Sequence, residues 1–432
     1  MKDERVKDEK GGQQKGGVFR VRYWRMSYKW WALALLWVAF FLQQGTRQIF
    51  GATLTSIQGS LGIDPAKIGL VATVFTFAYG ICVPFAGATA DVLNRKWMIV
   101  SGVFVFCLGI FVSGFVAGAG MLLVTYGLVN GIGQSFYYPS ATSVIGQLHK
   151  ETRATALSIL QMGLYAGIIG CSAASGWLAE GGADGWRIPF KVFGGIGLVW
   201  AVALAVFLKD TKPEPAKAEA APAKPSLKEA FMVFLSNPCA VLLALALGMM
   251  IYVDVGFKTW MPAHLQSAFG VAKGQAAFHA VLWHYLGAFV GVTIGGRVSD
   301  RLAARRPGVR METNMIGLAF AAPFIVWMAF APSLAACCAA MALFGVFRGV
   351  YDSNLMASLF DLIPSRYHAS GAGVMLAFGF VFGSTSPVVL GLMKNHFASS
   401  VGLASLAAFY LLGAALVLAA RVKRRSGKLP AE

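Results

Sequence analysis

The sequence has few charged residues. Only 13% of its 432 residues are Asp, Glu, Lys or Arg, whereas 57% are hydrophobic, and the mean hydropathy is +0.64. A soluble protein of this length needs far more charge than this on its surface. The composition therefore predicts an integral membrane protein.

The sequence also lacks the usual motifs of catalysis and metal binding. It has no G-x-x-x-x-G-K-S/T loop for a nucleotide phosphate, no cluster with metal-ligand spacing and no nucleophile beside a base. Its six cysteines lie in apolar runs, without the paired spacing of a metal or redox motif. We therefore expect no enzymatic activity, no metal and no cofactor, and an ion gradient as the energy source.

Apolar runs fill nearly the whole chain. A helix that crosses the ~30 Å hydrocarbon layer needs roughly 20 apolar residues, and runs of that length recur between short polar breaks. The pattern predicts an all-α protein with twelve membrane-spanning helices, at residues 30–57, 67–88, 97–116, 120–147, 154–178, 188–208, 238–264, 275–297, 313–331, 334–361, 367–388 and 398–421.

The basic residues are unevenly distributed. There are 37 Lys and Arg against 19 Asp and Glu, a net charge of +18. Most of the basic residues fall in the two tails and in alternate connections, which is the positive-inside pattern rather than a nucleic-acid surface. The first 29 residues are too polar to begin a signal peptide. We expect a multi-pass protein of the cytoplasmic membrane, with both termini in the cytoplasm and no nucleic-acid partner.

The chain divides into two related halves. The stretch LTSIQGSLGI (54–63) aligns with PAHLQSAFGV (262–271), and each closes the first predicted helix of its half. Repeated halves of this kind hold a substrate site near the bilayer midplane and expose it alternately to the two sides. The predicted organisation is a basic tail (1–29), a six-helix bundle (30–208), an Ala/Pro/Lys linker (209–230), a pseudo-symmetric six-helix bundle (231–421) and a second basic tail (422–432).

The loop after the second predicted helix has the pattern G-x-x-x-D followed by a basic pair, with Gly87, Asp91 and Arg95. A related pattern in the second half contains Asp300 and Arg301. With these motifs the chain resembles the major facilitator superfamily. The resemblance implies that the five residues form a latch between cytoplasmic helix ends. The alternative is a set of surface charges that only sets the topology.

Other stretches resemble the anion:cation symporter family within that superfamily. Those relatives usually have an Asp before the Arg of the first helix and often an acid on helix four. Here Thr46 precedes Arg47, and no acid lies between 120 and 147. The resemblance implies an anionic substrate and a co-transported cation, although the usual proton site is missing. The stretches are GIGQSFYYPSAT (131–142), RATALSILQMGLYAG (153–167) and YDSNLMASLFDLIPSRYHASG (351–371).

Arg47 lies inside an apolar run, about ten residues from the end of its predicted helix. Ionisable residues at this depth are costly and normally face a cavity in the bundle. A guanidinium group holds a carboxylate, sulfonate or phosphate with two parallel hydrogen bonds, which a Lys cannot reproduce. Arg47 is therefore the first predicted ligand for an anion.

Two pairs of opposite charge lie in the middle of later helices. Asp254 with Lys258 and Arg348 with Asp352 are both four residues apart, so each pair can neutralise itself on one helix face. If substrate or a proton breaks a pair, the acid becomes part of the coupling machinery. We assign a coupling role to Asp254, Lys258, Asp352 and His284, with structural pairing and a packed histidine as the alternatives.

Polar side chains at helical spacing complete the predicted cavity, although they can equally bridge helices. The prediction is a secondary transporter, expected to be a monomer from the resemblance. It moves a small organic anion, such as a sugar acid or other carboxylate, with a proton or sodium ion. An exchanger, a uniporter and a membrane sensor are the alternatives. The predicted substrate-binding set is Arg47, Gln44, Tyr79, Gln134, Tyr138, Gln161, Tyr165, Tyr252, Arg348 and Asn354.

Overall fold

The computed structural model describes residues 9–90, 93–209, 227–303, 305–306, 308–364 and 367–425, and in these residues the regular structure is helical, without strands. The helices are α1 (Glu9–Leu61), α2 (Pro65–Ala90), α3 (Arg95–Ser113), α4 (Ala119–Leu122), a π-helix (Leu123–Val129), α5 (Asn130–Ser135), α6 (Tyr137–Leu148), α7 (Arg153–Leu178), α8 (Arg187–Phe207), α9 (Leu227–Ser236), α10 (Pro238–Phe269), α11 (Lys273–Ala303), α12 (Val309–Ala329), α13 (Leu334–Phe360), α14 (His368–Gly383), α15 (Ser386–Lys394) and α16 (Ser399–Arg425).

Ten helices in the described part of the chain are long and apolar enough to cross a membrane. The first predicted span, 30–57, is helical within α1, but polar residues such as Gln43, Gln44 and Arg47 lower its hydropathy. The span predicted at 120–147 is divided among shorter helices. The all-helical membrane architecture is thus present, whereas the count of twelve spans stays a prediction.

The fourth predicted span departs most from a regular helix. The stretch Leu123–Val129, near its start, is π-helical, and a second interruption falls at Phe136. Pro139 lies three residues after Phe136, and proline has no N–H to donate and clashes with the preceding turn of a helix. The interruption therefore has a local cause in the sequence.

The domain boundaries at the tails and linker remain predictions. Helix α1 begins at Glu9, so it continues into the tail predicted at 1–29. Residues 210–226 of the predicted linker and 426–432 of the second tail lie outside the described residues. Helix α9 follows at Leu227, and Asn237 caps the next long helix by accepting hydrogen bonds from the N–H groups of Cys239 and Ala240 at 3.0 and 3.2 Å.

We call residues 9–209 the first half and residues 227–425 the second half. The start of α1, the end of α6 and the end of α16 lie at one end of the bundle, which we call the terminal end; there His149 contacts the carbonyl of Lys29 at 3.0 Å. The opposite end is the far end. Helix α1 runs from the terminal to the far end, and α10 runs in the same direction beside it.

Hydrogen bonds join the two halves at the far end. Thr55 donates to the side-chain oxygen of Gln266 at 2.9 Å, and Ser172 donates to the carbonyl of Ala277 at 2.9 Å. Helix α2 also packs against α14 and α15. These contacts close the space between the halves at the far end.

Helices α1 and α7 pack so closely that some positions have no room for a side chain. A Cβ atom on Gly167 of α7 would lie 2.3 Å from the carbonyl oxygen of Phe41 on α1. One turn away, a Cβ on Gly170 would lie 3.8 Å from the nearest atom of the Phe41 ring, an ordinary contact. A methyl group added at Gly167 therefore overlaps the backbone of α1, whereas one added at Gly170 does not.

We expect Gly167→Ala to lower the apparent melting temperature of the purified protein by several degrees, because the added methyl must displace a backbone carbonyl at a cost of about 1–3 kcal/mol. Gly170→Ala is the matched control and should leave the melting temperature nearly unchanged. Thermal unfolding in detergent measures both. Equal effects of the two substitutions would contradict the packing described for α1 and α7.

Candidate functional site

A cavity lies between the two halves, and its empty volume, including space open to solvent, is about 600 Å³. Its walls come from α1, α2, the π-helix, α10 and α14. Both polar and aromatic side chains line it, and three of the lining residues carry a formal charge. The lining residues are Arg47, Gln48, Phe50, Gly51, Ala72, Phe75, Thr76, Tyr79, Tyr126, Asp254, Val255, Lys258, Thr259 and Phe380.

Arg47 is held in the cavity wall by neutral groups. Its Nε donates to the side-chain oxygen of Gln134, and its backbone carbonyl accepts from the Tyr126 hydroxyl at 3.2 Å. The guanidinium carbon lies 4.2 Å from the ring centre of Tyr79 and 5.7 Å from that of Phe75. The Nη2 atom is buried and has no hydrogen-bond partner in the described part of the protein. Arg47 therefore keeps a guanidinium nitrogen that no hydrogen bond uses in these residues.

The buried side chain of Gln134 is oriented by its neighbours. Its amide nitrogen donates to the Asn130 side-chain oxygen at 2.8 Å and to the Thr46 hydroxyl at 3.4 Å. The amide oxygen is thereby directed to Arg47. Because an amide oxygen is an uncharged acceptor, Gln134 fixes the guanidinium without cancelling its charge.

The two ion pairs predicted from the sequence form one network. The Lys258 ammonium lies 2.5 Å from an Asp254 oxygen, and Arg348 Nη1 lies 2.5 Å from the other oxygen of the same carboxylate. Arg348 Nε lies 3.4 Å from Asp352. The order is Lys258, Asp254, Arg348, Asp352, with alternating charges that cancel. The link between Asp254 and Arg348 joins α10 to α13 and was missed by the sequence analysis.

His284 contacts this network through Arg348. Its Nε2 lies 2.6 Å from Arg348 Nη1, and since a guanidinium only donates, Nε2 accepts and the ring proton lies on Nδ1. The fully buried ring packs against Phe257 and Phe344, with centre-to-centre distances of 5.1 and 4.7 Å. This geometry describes an uncharged histidine that orients Arg348, and the predicted coupling role of His284 stays a prediction.

The predicted tyrosines lie in different surroundings. Tyr79 lines the cavity, and Tyr165 packs edge-on against Tyr285, whose hydroxyl lies 3.5 Å from the Lys258 ammonium. Tyr138 stacks on Phe40, and Tyr252 stacks on Phe409. Neither of the last two tyrosines is among the cavity-lining residues.

Three predicted polar ligands also lie away from the cavity wall. Gln44 and Gln161 are half-buried on α1 and α7. Asn354 is buried and donates to the Ser353 hydroxyl at 2.8 Å, so its amide is hydrogen-bonded within its own helix. Tyr126, which does line the cavity, was missed. It lies eight residues before Gln134, within the i, i+8 spacing of one broad helix stripe, and that spacing could have identified it.

The predicted latch of the first half is described only in part. Asp91 lies outside the described residues. Gly87 lies in the last turn of α2, and the buried Arg95 begins α3, whose N-terminus is capped by Asn94. Both predicted latch residues of the second half are described: Asp300 lies 3.7 Å from Arg310, which also contacts Asp361 at 3.1 Å, and Arg301 is exposed. The latch function itself stays a prediction.

A model of the Major Facilitator Superfamily matches residues 36–387. The chain belongs to this superfamily, as the sequence motifs predicted, and it is therefore a multi-pass membrane transporter rather than an enzyme. The helical fold predicted from the apolar runs is confirmed as the fold of this superfamily.

Individual relatives cover most of the chain. The "Probable sulfoacetate transporter SauU" of Cupriavidus necator is 26% identical over 385 residues, with coverage of 85% of this chain and 87% of the relative. The D-galactonate transporter of Escherichia coli is 25% identical over 400 residues, covering 85% and 90%. A bacterial homolog of the human lysosomal transporter Spinster, in an inward-facing and unoccupied conformation, has a similar fold, with a TM-score of 0.83, 19% identity and coverage of 94% and 99%.

The ion network predicts unequal effects on stability. Arg348→Met would leave both Asp254 and Asp352 without their shared cation, and removing one partner of a buried pair costs about 3–5 kcal/mol. Lys258→Met leaves Asp254 paired with Arg348. We therefore expect Arg348→Met to lower the apparent melting temperature much more than Lys258→Met does. Thermal unfolding of the two variants in detergent checks this, and a larger loss from Lys258→Met would contradict the shared pairing.

Proposed function

We propose that the protein carries a small organic anion, with sugar acids and other carboxylates or sulfonates as the substrate class, by alternating access. The observation that supports this most is the environment of Arg47. The guanidinium lines a cavity between the halves, has no ion pair to an acid in the described part of the protein, and keeps one buried nitrogen without a partner. Two relatives are named for the organic anions sulfoacetate and D-galactonate, which agrees with this class.

The surroundings of Arg47 suit a reversible anion site. Gln134 and the Tyr79 ring hold the guanidinium in place with neutral contacts, so an arriving carboxylate meets an oriented donor whose charge is not yet cancelled. An acid in place of Gln134 would compete with the substrate for the same cation. The hydroxyls of Tyr79, Thr76 and Thr259 in the same wall can bind hydroxyl groups of a sugar acid.

Alternating access requires one end of the cavity to close while the other opens. The far end is closed by bonds between the halves such as Thr55 to Gln266. The positive-inside distribution of Lys and Arg supports an orientation with the terminal end and both chain termini in the cytoplasm. The structure then corresponds to a conformation closed toward the outside, and transport would exchange these bonds for contacts of the latch residues at the terminal end. One copy of the chain supplies all the cavity-lining residues, which agrees with the expected monomer.

We further propose that the co-transported cation, a proton or sodium ion, acts through the acids of the network. Asp352 is the better candidate, because its side chain is 33% exposed and its ion pair with Arg348 is long, at 3.4 Å. Asp254 is 11% exposed and has two close cations. The absence of an acid beside Arg47 keeps exchange and uniport as the alternative modes.

Replacing Arg47 tests the anion site. We expect Arg47→Gln to reduce uptake of sulfoacetate or D-galactonate into proteoliposomes by about 100-fold or more, because a charge-assisted bidentate contact is lost. Arg47→Lys should recover only part of the uptake, since Lys cannot form the paired hydrogen bonds. The control is Arg306→Gln, which removes one exposed charge outside the cavity. Wild-type uptake by Arg47→Gln would refute the site.

Gradients imposed on the same proteoliposomes test the coupling. In a symporter, a proton or sodium gradient drives accumulation of the anion, and Asp352→Asn should abolish this accumulation while anion exchange across the membrane continues. Uptake would be followed with and without each gradient. If the wild type accumulates no anion with either gradient but still exchanges it, the protein is an exchanger or uniporter and the coupling proposal is wrong.

A further inference from the structure

Lys258 lines the same cavity as Arg47, from the other half of the protein. A Cβ atom on Gly51 would lie 2.5 Å from the carbonyl oxygen of Lys258, so α1 and α10 touch at this level. Arg47 precedes Gly51 by one helical turn, and Asp254 precedes Lys258 by one turn on a helix that runs the same way. The two basic residues are thus offset by about one turn, roughly 5.4 Å, along the cavity.

Lys258 is more accessible than the two residues nearest to it in the ion network. Its side chain is 24% exposed, compared with 11% for Asp254 and 12% for Arg348. An ammonium group has three donors, of which one contacts Asp254 at 2.5 Å and one approaches the Tyr285 hydroxyl at the long distance of 3.5 Å. Lys258 therefore keeps capacity for a further acceptor on the cavity side.

The carboxylate of Asp254 does not depend on Lys258 alone. Arg348 Nη1 lies 2.5 Å from it, and His284 orients the same guanidinium. If Lys258 turns toward a ligand, Asp254 therefore stays paired. Removing a cation from a singly paired buried carboxylate would be far more costly. Lys258 can therefore contact a ligand while Asp254 keeps its ion pair with Arg348.

We propose that Lys258 is a second anion-binding residue and that the preferred substrates are dianions, such as dicarboxylates and sulfocarboxylates. One anionic group binds Arg47 in the first half, and the other binds Lys258 in the second half. The inference rests on the proposed function, because it takes Arg47 as the first anion ligand. It adds a specificity rule: a second acidic group increases affinity, whereas a monoanion of equal length engages only Arg47.

Matched ligand pairs test the rule on the purified full-length protein. Succinate is compared with butyrate, and sulfoacetate with ethanesulfonate, by isothermal titration calorimetry. In the wild type the dianion of each pair should bind at least about tenfold more tightly, as expected for one added charge-assisted contact. Lys258→Gln should reduce this ratio to about one, and Lys258→Arg should keep it clearly above one. Arg47→Gln should weaken both members of each pair.

The outcomes separate the two proposals. Equal affinities within each pair in the wild type, or an unchanged ratio in Lys258→Gln, would overturn the role of Lys258 while leaving the Arg47 site intact. If no anion binds the wild type, or if binding survives Arg47→Gln, the proposed function itself fails. Lys258→Met serves as a second variant if Lys258→Gln does not fold, and the wild-type ratio decides the question in any case.

Discussion

The cost of burying charge within a membrane governs the arrangement of this protein. Ionisable residues at this depth are tolerated only when they are paired or face a polar cavity. Lys258, Asp254, Arg348 and Asp352 meet the requirement as one network whose charges cancel. Arg47 meets it differently, with an amide, two aromatic rings and a cavity. The charge of Arg47, which no acid in the described residues neutralises, therefore lies in the wall of the cavity.

Arg348 is the centre of that network. It contacts two acids and His284, and its pairing with Asp254 connects α10 with α13. A cation shared by two acids, and an acid shared by two cations, allow one partner to move without leaving a buried charge alone. This redundancy makes the proposed binding at Lys258 and the proposed response at Asp352 physically compatible with a stable fold.

Close helix contacts place these groups at the boundary between the halves. Gly51 lets α1 approach the backbone of α10 at Lys258, and Gly167 lets α7 approach α1 at Phe41. Bonds such as Thr55 to Gln266 then close the far end. The contact between the halves thus combines close packing at small residues, aromatic contacts such as Tyr165 with Tyr285, and a few hydrogen bonds.

The sequence by itself determined the membrane class, the helical architecture and the special position of Arg47, because hydropathy and the cost of a charge in an apolar run are local properties. It also identified both members of the pairs at Asp254 and Arg348, since residues four apart share a helix face. Only the tertiary structure decided that the two pairs join, and that an amide from Gln134 holds Arg47. Those contacts depend on the rotation and neighbours of each helix, and residues 87 or more positions apart in the sequence carry no periodic signal of their meeting.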